Sequence, residues 1–308
     1  MEVYRFEPPT LIEIRGRDRL KWLHSFVTNE VRDLTPGAWR EAFATDAKGK
    51  TFSHGAVCCF EERLLFLSLW PGQAAELIAH WDRYIISEDV QLADLSGGRS
   101  WHAITGSDVS DFCESVGVPL PGDAPTTAAG RAVRLEGDGL AFAVFGFALP
   151  LQYALVTTAG DNVGERAGDT AGEDATRTVR MLAAANRFPW FGIDFDRGNL
   201  PQEVARDHYA ISFKKGCYLG QETVARLDAV GQVQKQLFPV IVNRDLAGID
   251  DFAPQELLAD GEPAGTLTSA YTSGGEHAIG FAAVRRKYFD RGGDFATADG
   301  TAVSLQSI

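Results

Sequence analysis

The stretch FKKGCYLGQETVARL, Phe213–Leu227, sets two lysines before a glycine, a cysteine and a tyrosine, and follows them with Gly-Gln-Glu. Its apolar residues trace no helical stripe, so it reads neither as a core strand nor as an amphipathic helix. Gly216 and Gly220 bracket Cys217, and glycine admits positive φ and close backbone approach. Lys214, Lys215 and Arg226 bring positive charge to a thiol, and a thiol near fixed positive charge reacts more readily. A helix opening near Leu219 adds the positive end of its dipole. Glu222 opposes these effects unless Lys215 or Arg226 pairs with it. Gln221 offers both donors and acceptors, which suits a heterocycle with mixed edges. Tyr218 is expected to anchor the turn in a core, so that Cys217 stands at the mouth of a ligand channel. An equally open reading makes Cys217 a small buried hydrophobe, Lys214-Lys215 a solvated pair and Gly-Gln-Glu a helix start.

Outward from this stretch, the chain has 308 residues and a net charge of −13. That length predicts more than one domain, and the acidic charge argues against duplex nucleic acid as the main partner. No run approaches the roughly 18 apolar residues of a membrane helix. The start MEVYRFEPPT lacks a basic region and an apolar stretch, so no signal peptide and a cytoplasmic location are expected. The four cysteines, Cys58, Cys59, Cys113 and Cys217, form no C-x-x-C and no zinc-finger spacing. Neither a disulfide framework nor a permanent metal site of this chain alone is expected.

The pattern predicts an α+β fold. LIEIR (11–15) alternates as a strand. Asp18 is expected to cap a helix with Leu20, Leu23, Phe26 and Val27 on one face. HGAVCCF and RLLFLSL flank Glu61-Glu62 as a hairpin, residues 73–86 make a helix, and a strand follows near 90–95. That order is a ferredoxin-like rhythm. A second unit opens with a strand at 101–106, a short helix holding Cys113 on its apolar face, and strands at 131–135, 140–146 and 151–157. Residues 159–176 read as a surface loop or frayed helix, and 177–186 as a helix. From about 235, short strands broken by Gly, Asp and Pro predict a small β-barrel. The expected modules are 1–97, 98–233 carrying the cysteine motif, with exchange of segments between these two, and 234–308.

KGCYLGQETVAR (215–226) closely resembles the signature of the YgfZ-type folate-binding proteins, relatives of the mitochondrial iron–sulfur maturation factors. These share a fold with the T-protein of the glycine cleavage system, an aminomethyltransferase. FVTNEVRDL (26–34), AKGK (47–50) and FGIDFDRGNLPQEVARDHYAISF (191–213) resemble further stretches of the same family. The resemblance implies two interleaved α/β modules and a barrel in a ring around a central channel, tetrahydrofolate bound there, and the cysteine facing it. It also implies support of iron–sulfur client enzymes, including a radical enzyme that thiolates transfer RNA. Its candidate ligand residues are Asn29, Trp190, Glu203, Lys215, Gly216, Tyr218, Gly220, Gln221, Glu222 and Arg226, with Cys217 as the functional thiol.

Two departures stand out. The T-protein relatives need an aspartate in a turn that matches GKTFSH (49–54), where this chain has Ser53 and His54. Serine holds no charge to stabilise an iminium, which argues against a folate-dependent aminomethyl transfer; His54 reads as a hydrogen-bonded structural residue rather than a base. The family's pterin-gripping glutamate is matched by Leu182 in RMLAA (180–184), and Glu203 is the nearest carboxylate to substitute, unless it is a solvated loop charge. Trp190 and Phe191 read either as a stacking platform or as core plugs, and Asn29 either as a ligand or as a helix C-cap. Two other functions stay open: a one-carbon transferase, and a non-catalytic scaffold for client proteins.

Overall fold

The computed structural model describes residues 2–105, 129–134, 140–144, 152–158, 170–171, 173–244, 252–272, 275–290 and 295–307. Seventeen strands run in chain order among them. They are β1 Glu2–Phe6, β2 Thr10–Arg15, β3 Ala38–Thr45, β4 Thr51–Cys59, β5 Arg63–Ser68, β6 Gln91–Asp94, β7 Arg99–Thr105, β8 Ala129–Arg134, β9 Leu140–Val144, β10 Gln152–Thr158 and β11 Thr170–Ala171. Then come β12 Lys235–Val242, β13 Gln255–Ala259, β14 Glu262–Thr272, β15 Ala278–Arg285, β16 Phe295–Thr297 and β17 Ala302–Leu305. The helices are α1 Arg19–His24, α2 Ala74–Asp82, α3 Glu173–Ala185, α4 Asp207–Ala210 and α5 Gln221–Val230.

The first eleven strands form one sheet in the order β11-β1-β7-β10-β9-β8-β3-β4-β5-β2-β6. Its middle is apolar on both faces, and the two-residue side-chain period of a strand sorts the residues between two cores. Leu11, Cys58, Leu65 and Leu67 point to one core, which Val179 and Ala183 of α3 cover. Ile12, Ile14, Cys59, Leu64 and Phe66 point to the other, covered by Trp22 and Leu23 of α1 and Leu77 and Trp81 of α2. The β4–β5 hairpin turns at Glu61-Glu62 as expected. The seam between the halves is the β3–β8 pairing. β1 crosses over to pair with β7 and β11, in the half of the sheet away from β2. The sequence reading overlooked β1, because its five residues lie just before Pro8-Pro9 and carry mixed charge.

The last six strands close a barrel in the order β12-β15-β14-β13-β16-β17, as the run of short strands after residue 235 predicts. It has its own apolar interior, including Val240, Leu257, Leu267, Ala282 and Phe295. A fourth apolar cluster joins it to the rest: Leu237, Tyr271 and Phe281 pack with Phe43, Phe191, Phe195, Tyr218 and Val224.

Three local expectations change. Asp18 sits at the N-cap of α1 but its side chain caps nothing there; its Oδ2 accepts the Asp89 backbone N–H at 2.9 Å. The helix read over 73–86 ends at Asp82, and the stretch 159–176 already contains the start of α3 at Glu173. The short helix read over 107–118, with Cys113, lies outside the described residues.

Candidate functional site

The signature stretch is a turn pinned on three sides. Gly220 has φ +77° and opens α5. A Cβ on it would fall 2.3 Å from the Asp46 carbonyl oxygen and 2.6 Å from the Gly49 nitrogen. Gly49, at φ +76°, faces Gly220 in return. The AKGK turn and the cysteine motif, far apart in sequence, are therefore in backbone contact. The Leu219 N–H donates to the Ser25 carbonyl at 2.9 Å, and Thr45 Oγ1 donates to the Leu219 carbonyl at 2.6 Å. Tyr218 is buried in the cluster that reaches the barrel, as its anchoring role requires. Cys217 is exposed, whereas Cys58 and Cys59 are buried.

Lys215 does not offset Glu222. Its side chain is buried, and Nζ donates to the carbonyls of His24 (2.6 Å), Val27 (2.5 Å) and Asn29 (3.0 Å). Burial pushes its pKa down to about 7, against the pull of Glu30. Lys215 is thus a tie between the motif and the end of α1. Lys214, Glu222 and Arg226 are exposed, and Gln221 is half-buried at the start of α5. Asn29 is not the helix C-cap, which is Ser25. It is buried and brackets two chain segments: Nδ2 donates to the carbonyls of Glu41 (2.9 Å) and Tyr209 (2.8 Å), and Oδ1 accepts the Glu30 N–H at 2.9 Å. Gly216 needs no left-handed backbone, being absent from the positive-φ glycines.

The turn matched to the T-protein aspartate is closed to substrate. Ser53 Oγ donates to Gln73 Oε1 at 2.6 Å, and both residues are buried. His54 Nε2 lies 2.8 Å from Glu41 Oε1, and Arg206 holds the same carboxylate through Nε (2.9 Å) and Nη2 (2.5 Å). Burial alone would raise the Glu41 carboxyl; Arg206 and His54 outweigh it and hold it near 2. Burial pushes His54 the other way, down toward the neutral imidazole. This is a structural histidine against a buried ion pair, as the sequence suggested.

No protein-family model matches the chain. The "tRNA-modifying protein YgfZ" of Yersinia pseudotuberculosis serotype O:1b (strain IP 31758) is 27% identical over 248 residues, 74% of this chain and 67% of that protein. The protein of the same name from Yersinia pestis (strain Pestoides F) is 28% identical over 252 residues, with the same coverage. A crystal structure of the glycine cleavage system aminomethyltransferase T from Bartonella henselae superposes over 100% of this chain and 85% of its own, with a TM-score of 0.80 at 14% identity. The chain resembles the YgfZ proteins in sequence and has the T-protein fold.

In this chain about half of the segment 191–213 is interior. Trp190 and Phe191 are core residues, packed into different apolar clusters, so neither offers a free ring face for stacking. Leu182 packs against the first of those clusters. Glu203 is buried and not a solvated charge: its Oε2 accepts from Asn199 Nδ2 (2.8 Å) and the Leu200 N–H (3.3 Å), with Lys235 Nζ at 3.7 Å. Beside it, Gln202 donates through Nε2 to the Val224 carbonyl at 2.7 Å, while its Oε1 is buried without a partner. Asp207 Oδ1 is likewise buried and unpartnered, and burial raises that carboxyl to about 6.

Three residues in or beside the motif segments escaped the sequence reading. Gln202 and His24 carry unpartnered buried polar atoms beside motif residues, and no local pattern marks such atoms. Asp194 is buried under the barrel, where its carboxylate accepts from the Trp190 N–H (2.7 Å), Ser269 Oγ (2.5 Å) and Thr268 Oγ1 (3.0 Å). Burial raises it to about 6 in spite of those donors. Its membership in FGIDFDRGN was the available signal. No helix among the described residues is long and apolar enough to cross a membrane.

Proposed function

We propose that this chain is a tetrahydrofolate-binding accessory factor for the assembly or repair of iron–sulfur enzymes, acting on transfer RNA modification through such a client, with Cys217 as the functional thiol. The observation that carries this reading is the contrast among cysteines: Cys217 stands exposed in a turn fixed by Gly220, Tyr218 and Lys215, while Cys58 and Cys59 are interior. The name of its YgfZ relatives supports the link to transfer RNA. Duplex nucleic acid and membrane are not proposed as direct partners, and the proposed compartment is the cytoplasm.

For the folate, the donor set has to suit a ring rich in N–H groups. Leu182 offers it nothing, but the buried, unpartnered Gln202 Oε1 and Asp207 Oδ1, with the Glu203 carboxylate between them in sequence, supply acceptors that such a ring would satisfy. A folate would bring a one-carbon carrier. Aminomethyl transfer is disfavoured, because Ser53 and His54 are buried and hydrogen-bonded where a free carboxylate would be needed.

The test is complementation in a bacterium lacking its own YgfZ, read as thiolated nucleoside in transfer RNA by mass spectrometry. The chain should restore the modification and Cys217→Ser should not, with both proteins folded by circular dichroism. Full complementation by Cys217→Ser would leave a scaffold role and remove the thiol. Calorimetry with tetrahydrofolate should show binding that Gln202→Leu weakens; no heat at millimolar ligand would remove folate.

A further inference from the structure

The cysteine turn is anchored on both sides of its thiol, and the second anchor leads to a residue outside the motif. Before Cys217, Lys215 is tied to three carbonyls at the end of α1. After it, the Leu219 carbonyl accepts the hydroxyl of the buried Thr45 at 2.6 Å. Gly216 and Cys217 are exposed between these anchors. Thr45 stands where β3 loses its regular register with β4. The pairing shifts between Ala44 and Thr45, and the N–H of its partner Thr51 donates to the Asn199 carbonyl at 2.9 Å. The Thr45 carbonyl is met by His80 Nε2, 3.1 Å away on α2.

The neighbours of His80 fix its ring. A carbonyl only accepts and a guanidinium only donates, so Nε2 carries the hydrogen toward Thr45, and the Nδ1 lone pair accepts from Arg83 Nη2. Arg83 is itself held, because its Nε donates to the His80 carbonyl at 3.0 Å. Phe52 lies flat on the imidazole, with centroids 3.9 Å apart and planes 11° from parallel, and the Arg197 guanidinium sits over Phe52. Burial first, and then Arg83 and Arg197, hold the His80 pKa below the ordinary value against the pull of the Thr45 carbonyl and Asp46, so the ring is neutral at pH 7. A buried imidazole costs free energy unless both nitrogens are paired, and an apolar side chain would fill the same place without that demand. What the histidine adds is direction: one N–H aimed at one carbonyl.

We propose that His80 is a positioning residue for the Cys217 thiol, holding the Thr45 backbone so that the Thr45 hydroxyl fixes Leu219 and with it the exposed turn. The contacts run in one line: His80 Nε2–H to the Thr45 carbonyl, Thr45 Oγ1–H to the Leu219 carbonyl, and Leu219 two residues beyond Cys217. The next carbonyl along β3, that of Asp46, packs against Gly220 at the start of α5, so a shift at Thr45 moves that contact as well. Without the His80 donor the Thr45 carbonyl loses its cross-link at the register break, and the end of β3 is free to move the hydroxyl away from Leu219. His80 acts through Thr45 and takes no part in chemistry itself. The role rests on the reading of Cys217 as a functional thiol.

The test places a trifluoroacetonyl label on Cys217 of the full-length, reduced protein, with Cys113 replaced by serine, and reads the ¹⁹F NMR line well below the melting temperature. The parent protein should give one narrow line, since the turn is held in one place. His80→Leu and Thr45→Val should each split or broaden it, and the double variant should do no more than either alone. His80→Gln should restore the single line, because its amide offers a donor to Thr45 and an acceptor to Arg83. In the unlabelled protein, His80→Leu should cut the thiolated nucleoside in the complementation assay about 10-fold, as expected for a reacting group held out of place, and His80→Gln should restore it. A parent-like line from both His80→Leu and Thr45→Val would overturn the role, even if both lower the urea midpoint, because that is what a merely structural histidine would do. Full complementation by His80→Leu with a disturbed line would overturn it too, provided Cys217→Ser fails to complement. If Cys217→Ser complements while the spectra behave as expected, the geometric link stands and the thiol function falls.

Discussion

Two glycines bracket the same cysteine, and replacing each with alanine should have opposite consequences. At Gly220 the backbone sits at φ +77°, a conformation that costs a residue with a Cβ about 1–2 kcal/mol. The new methyl would also meet the Asp46 carbonyl oxygen at 2.3 Å, the Gly49 nitrogen at 2.6 Å and the Gly49 Cα at 2.7 Å. These are backbone atoms of a tight turn, so no side chain can rotate out of the way and the two turns must separate by about 1 Å to restore ordinary van der Waals contact. That separation strains the 2.6 Å bond from Thr45 Oγ1 to the Leu219 carbonyl, worth about 1 kcal/mol. The expected loss is about 3 kcal/mol. Gly216→Ala meets His24 Nε2 at 3.8 Å without positive φ, and should be neutral or slightly stabilising through the unfolded chain. Urea unfolding followed by tryptophan fluorescence reads both variants side by side. Equal midpoints for the two would refute the reasoning, since it rests entirely on the different surroundings of two like residues.

Thiol labelling of the folded protein at neutral pH should modify Cys217 first and leave Cys58 and Cys59 unreacted until denaturant is added, because burial pushes both interior thiols up; early labelling of Cys58 by peptide mapping would contradict the packing. Arg206→Met leaves the Glu41 carboxylate buried with His54 alone and should cost about 3–5 kcal/mol of stability by chemical unfolding, whereas a loss under 1 kcal/mol would mean that the ion pair is dispensable. Asp194 has a folded pKa of about 6, above its unfolded value, so the folded state binds the extra proton and this group's contribution falls as pH rises from about 4 to 6. The wild type should lose up to about 3 kcal/mol more than Asp194→Asn across that window; parallel stability–pH curves for the two would exclude it.

What the sequence made legible was whatever depends on local pattern. The β4–β5 hairpin, α2 and the C-terminal barrel each show a period of two or near 3.6 with turn residues between, and each is present. β1 and the 191–213 segment were not readable in that way. β1 gains its strand character from pairing with β7 and β11, about a hundred residues and more away, and a mixed five-residue run carries no sign of such partners. At the site, residue types gave the motif but not the contacts. Lys215 reads as a charge beside a thiol, yet its ammonium is tied to three carbonyls at the end of α1; Glu203, open between a ligand and a solvated charge, and Trp190, open between a stacking platform and a core plug, both prove interior. A lysine or glutamate is buried only where the fold brings partners to it, and those partners, Val27 and Asn199 among them, are set by tertiary structure.

The buried cluster at Glu41 bears on why a T-protein fold would take up another task. Catalysis by a carboxylate needs a group that touches substrate with a free oxygen, and Glu41 meets neither condition. It is fully buried, with Oε1 taken by His54 and Arg206 and Oε2 by Arg206. The same glutamate's backbone carbonyl receives Asn29, and the Asn29 carbonyl receives Lys215. The polar groups around the turn that matches the T-protein aspartate thus run inward, from β4 through β3 to the cysteine motif, as internal cross-links. Their effect is rigidity at the residues flanking Cys217. The chemistry this turn leaves facing solvent is the Cys217 thiol, with Lys214, Glu222 and Arg226 exposed near it in sequence.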